Sequence, residues 1–69
     1  MNHPTFNDWQ FVKRVHVCHR VAESHYVNRK TGWTAHDVHR GPNNKYVGIL
    51  VMDERGKAQG IVRRVTELP

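Results

Sequence analysis

Two short loops, each ending in glycine, constrain this chain more than any other feature of it. They are Asn28–Gly32, inside "YVNRKTGWTA", and Asp53–Gly56, inside "ILVMDERGKAQGIV". A loop closed by glycine between apolar, β-rich runs fits a type I turn completed by a left-handed residue and a bulge, which joins adjacent antiparallel strands. Two such turns in 69 residues predict a mostly β fold: a small single-domain antiparallel β-meander or partly open barrel over residues 1–69. Strands are expected near 10–21, 24–28, 33–36, 45–53 and 58–66.

The stretch from Trp9 to Val27 admits a second reading. As a helix it would start behind Asp8 as N-cap and finish before Gly32, with Arg29 and Lys30 near its end. Phe11, Val12, Val15, Cys18, Ala22 and Tyr26 would share one arc, and the fold would be α+β, a helix over 9–28 packed on a C-terminal hairpin. As a strand, Trp9, Phe11, Val15, Val17 and Val21 take the odd positions, while Gln10, Arg14, His16 and Arg20 hold most of the even ones. Five valines favour the strand, because β-branched side chains suit a pleated surface and lose rotamer freedom in a helix. One strand of that length is unusual, so a break is expected near Ala22-Glu23-Ser24.

The second hairpin can be read further. Setting Asp53 opposite Lys57 places Met52 opposite Ala58, Leu50 opposite Gly60 and Gly48 opposite Val62. Tyr46, Gly48, Leu50, Met52, Ala58, Gly60 and Val62 then share one face. Val47, Ile49, Val51 and Ile61 share the other with Gln59 and Arg63. Strands apolar on both faces need cover on both, yet a chain this short buries only ~60% of the surface its unfolded form exposes. The excess predicts either a tightly curled barrel or a homodimer through Ile49, Val51 and Ile61.

Eleven Lys and Arg stand against six Asp and Glu, a formal net charge of +5. Such a balance favours anionic partners, nucleic acid before an acidic protein surface. No membrane partner is expected, because the longest apolar run, Ile49-Leu50-Val51-Met52, is far short of a span. A single cysteine excludes an intramolecular disulfide framework, and the polar opening MNHPTFNDW has no apolar signal-peptide core. A cytoplasmic location is the expectation.

Two histidines flank the cysteine in "HVCH", and His36 and His39 repeat their spacing. On a helix His16, His19 and Glu23 would converge as zinc ligands. On a strand, residues three apart point to opposite faces, so neither metal nor cofactor is expected, and Cys18 reads as a small packing residue. The carboxylates are scattered rather than paired. "GPNNKYVG" lacks the spacing and the GK[ST] ending of a phosphate-cradling loop. No enzyme is expected.

What remains is a basic surface interleaved with aromatics, a combination that holds single strands by phosphate contact and base stacking. Arg29, Lys30, Lys45, Arg63 and Arg64 are the candidate phosphate contacts, and Trp33 is the candidate stacking ring. The expectation is a nucleic-acid-binding or regulatory protein without strong sequence preference. The rival is a small protein-interaction module, an adaptor or inhibitor of phage or mobile-element type, docking on a larger complex through its apolar hairpin.

Overall fold

The computed structural model describes residues 8–69; the polar opening stretch, residues 1–7, lies outside them. Five antiparallel strands follow in chain order: β1 (Trp9–Cys18), β2 (Val21–Asn28), β3 (Thr34–Arg40), β4 (Lys45–Met52) and β5 (Ala58–Val62). They form one sheet of order β1-β2-β3-β4-β5, so β1 and β5 are both edges and the sheet is an open meander. A single 3-10 turn, Val65–Glu67, follows β5. The stretch 9–28 is a hairpin and not the alternative helix. Among the described residues no helix is long and apolar enough to cross a membrane.

Both glycine-closed loops form as their composition predicts, with Gly32 at φ +80° and Gly56 at φ +84°. The residue opening each loop matters as much as the glycine closing it. Asn28 Oδ1 accepts from the backbone N–H groups of Lys30 and Thr31 at 2.9 and 3.0 Å. Asp53 Oδ1 does the same for Arg55 and Lys57 at 2.9 and 2.8 Å. Each side chain holds its own turn by satisfying N–H groups that the ladder leaves free.

Two expectations need correction. The break in the N-terminal stretch falls at His19-Arg20, because Cys18 pairs directly with Val21; it does not fall at Ala22-Glu23-Ser24. That tight turn contains no glycine or asparagine, and its position is set by pairing along the whole of β1 and β2. The second hairpin starts in the expected register, Met52 opposite Ala58, but Gln59 is an extra residue on β5. Beyond it Val51 faces Gly60, Leu50 faces Ile61 and Ile49 faces Val62. A one-residue shift moves side chains to the other face. Val62 therefore joins Ile49 and Val51, while Ile61 moves to the side of Leu50.

The core lies on one face of the sheet. Ala35, Ile49, Val51 and Leu68 are buried to between 1% and 3% exposure, and Trp9, Tyr26, Trp33, Val62 and Val65 pack around them. Three of these four sit on β3 and β4; the fourth, Leu68, comes from the segment after β5. That segment turns back because Glu67 Oε1 accepts from the backbone N–H of Arg63 at 2.9 Å. It ends with the Trp9 indole N–H donating to the Pro69 carbonyl at 2.9 Å. Leu68→Ala is expected to cost about 2–5 kcal/mol, the range for truncating a buried leucine, measured as a fall in unfolding free energy in urea.

Gly48 supplies a second test. Its φ is +150°, and a Cβ there would lie 2.7 Å from Ile61 Cγ2 and 2.8 Å from the Val62 carbonyl oxygen. Gly60 has the same φ but nothing within 4 Å of its would-be Cβ. Both alanine variants carry the backbone strain; only the one at position 48 meets the wall of β5. Gly48→Ala is expected to destabilise by about 1–3 kcal/mol more than Gly60→Ala, read from paired urea melts.

Candidate functional site

All 11 Lys and Arg side chains fall within the described residues, and every one is exposed. None pairs with a carboxylate: the one ion pair among the described residues joins His39 Nδ1 to Glu23 Oε2 at 3.3 Å. The acids are engaged differently. Asp37 accepts from the Ser24 backbone N–H at 2.9 Å and from the Tyr46 hydroxyl at 3.3 Å. Asp53 holds the β4–β5 turn, and Glu67 holds the turn after β5. Glu23, Asp37, Asp53 and Glu67 thus accept hydrogen bonds from backbone N–H, imidazole or phenol groups rather than from Lys or Arg side-chain cations.

The expected contacts occupy three stations rather than one patch. Arg29 and Lys30 are exposed in the β2–β3 loop, at one end of a molecule 40 Å long. A Cβ on Gly32 would sit 3.6 Å from Glu54 Cβ, so this loop touches the β4–β5 turn. Lys45 lies at the other end of the sheet, opposite Arg40. Arg63 and Arg64 follow β5 at its edge and are exposed. Trp33 is half-buried and packs against the core cluster, so much of its ring supports the fold rather than standing free for a base.

The residues expected at a dimer contact do not share a surface. Ile49 and Val51 are 3% and 2% exposed beneath Leu68, and only Ile61, at 45%, reaches solvent. The bulge at Gln59 is the cause. Cys18 is likewise not a buried packing residue: it is exposed at the end of the β1–β2 hairpin, where Asn44 Nδ2 approaches its sulfur at 3.6 Å. His16 lies opposite Ala22 and His19 sits in the turn. His36 and His39 also part, His36 facing Leu50 and His39 facing Tyr46. Among the described residues no three His, Cys, Asp or Glu converge.

The face opposite the core carries the feature that sequence reasoning missed. Lys13 lies opposite His25, His25 opposite His36, and His36 opposite Leu50. The two imidazoles stack with centroids 5.2 Å apart and planes 15° from parallel. They stand in a groove of about 380 Å³ whose apolar walls include Val12, Val27 and Met52. Burial, then the neighbouring His36 and Lys13, hold the His25 pKa below its ordinary value of 6.5. Eleven positions separate the histidines in sequence, and only the β2–β3 register brings them together.

Asp37 marks where β2 and β3 part. Their ladder covers only His25–His36, Tyr26–Ala35 and Val27–Thr34; beyond it the Asp37 carboxylate takes the N–H of buried Ser24. Burial and the facing Asp37 carboxylate raise the Tyr46 pKa above its usual 10.0, so the phenol stays protonated and donates. Neither family models, nor curated proteins, nor solved structures match this chain. Its fold and surface define a small basic single-sheet β protein. Asp37→Ala should cost about 1–3 kcal/mol, since it leaves a buried N–H unsatisfied. Asp37→Asn, which keeps an acceptor oxygen, should cost less in the same urea measurement.

Proposed function

We propose that this protein binds nucleic acid through backbone phosphates, without strong sequence preference. One observation carries the reading: every Lys and Arg is exposed and forms no ion pair with a carboxylate, while four of the six carboxylates accept hydrogen bonds from other groups of the fold. A protein that used its cations for stability would pair them; here they project a field that attracts polyanions. Their spread along a 40 Å axis suits an extended ligand better than a compact one, since a nucleic acid offers charge at regular intervals along its whole length. Arg29 and Lys30, Lys45, and Arg63 and Arg64 are the contacts that such a strand would meet in turn.

Phosphate contact releases counterions, so log affinity should fall linearly with log salt, by ~0.7–0.9 per contact. Replacing Arg63 and Arg64 together with glutamine should reduce that slope and weaken all sequences alike. Titration of labelled single- and double-stranded DNA and RNA at several salt concentrations measures both. Absence of binding even at low salt would overturn the reading, and an acidic protein surface would then be the partner to seek.

A further inference from the structure

Lys13, His25 and His36 form a row across β1, β2 and β3, because directly opposed residues on neighbouring strands share a face. His36 Nδ1 lies 3.0 Å from the Asp37 carbonyl oxygen. A carbonyl can only accept, so this nitrogen carries the proton and Nε2 is left for an external partner. The groove beside the row is lined by Lys13 and the two histidines as its ionisable cations, with no carboxylate among its lining residues. Its walls are otherwise largely apolar. Charge complementarity selects an anion, and the apolar walls select one that carries an apolar body.

We propose that this groove binds a nucleotide unit of single-stranded nucleic acid, its phosphate on the Lys13–His25–His36 row and its sugar and base against Val12, Val27 and Met52, and that binding takes up a proton from solvent on the histidine pair. The inference rests on the nucleic-acid reading above and names one site within it. An unpaired strand is required because duplex bases are stacked away from such a wall, whereas single-stranded bases can splay onto a protein surface.

The charges around the pair set the direction of the proton linkage. His25 faces Lys13 on β1 and stacks on His36 of β3; the acids within reach are Glu23 on its own strand and Asp37 on β3. In the free protein burial, with His36 and Lys13 beside it, outweighs those acids, so His25 resists protonation. The unfolded chain then binds more protons, and the free protein loses stability as pH falls below the ordinary histidine value of 6.5. A phosphate at the row reverses the balance, because an adjacent anion favours the charged imidazole. Affinity must therefore rise as pH falls, by up to about tenfold per pH unit for each proton taken up.

The test uses a fluorescently labelled oligothymidylate at fixed ionic strength, titrated at about pH 7.5 and about pH 5.5, the interval over which histidine changes charge. The full-length protein should bind several-fold tighter at the lower pH, and calorimetry in two buffers of different ionisation enthalpy should register net proton uptake. The double variant His25→Gln, His36→Gln should bind more weakly than the unaltered protein at both pH values and lose most of that pH increment. Lys13→Gln, at an exposed position that leaves the fold alone, should weaken binding at both. An undiminished pH increment in the double variant, or no proton uptake by the unaltered protein, overturns the site. No binding by the unaltered protein at either pH overturns the nucleic-acid reading itself.

Discussion

The fold depends on the seating of Leu68 against Ala35, Ile49 and Val51. A lone sheet has an apolar face and nothing to bury it against, and stable architectures answer with a second layer. Here the second layer is the last few residues of the chain. After β5 the backbone leaves the sheet at Arg63, makes one 3-10 turn, and lays Leu68 over the middle strands. The Trp9–Pro69 hydrogen bond ties that segment to the first residue of β1, 60 positions away. Cover from the tail removes the need for β1 and β5 to pair, which is why the sheet stays open.

An open sheet has two edges, and the longer is guarded. β1 bears two bulges, at Val12 and Val17, and carries Lys13 and Arg14 between exposed Phe11, Val12, Val15 and Val17. Bulges and like charges on an edge discourage pairing with another strand. Exposed apolar residues on β1 are thus interrupted by the features that oppose strand addition. The same positive residues raise the local potential toward anions.

Acids and bases divide the work unequally. Asp53 and Glu67 close turns, Asp37 fills the gap where β2 and β3 separate, and Glu23 meets His39. Asp37, Asp53 and Glu67 take backbone N–H donors that the strand ladder leaves over, and a carboxylate makes the stronger kind of such bond. A hydrogen bond from a neutral donor leaves a carboxylate's charge in place, so the chain as a whole carries the net +5 that its composition gives.

Sequence alone determined the features whose causes are local. Loop chemistry at Asn28–Gly32 and Asp53–Gly56 prescribes hairpins, valine content favours extended chain over 9–27, and the composition sets a net charge of +5. The tertiary structure decided everything that rests on register and return contacts. A bulge at Gln59 exchanges the faces of Ile61 and Val62, and Leu68 covers Ile49 and Val51 where an exposed contact was expected. Pairing between distant strands stacks His25 on His36 beside Lys13, a grouping no linear spacing encodes. Trp33 went to the core for the same reason: its neighbours come from strands that meet only after folding. A turn is fixed by the torsions and hydrogen bonds of a few consecutive residues, whereas a face is fixed by which strands pair, in what register, and what lies on top.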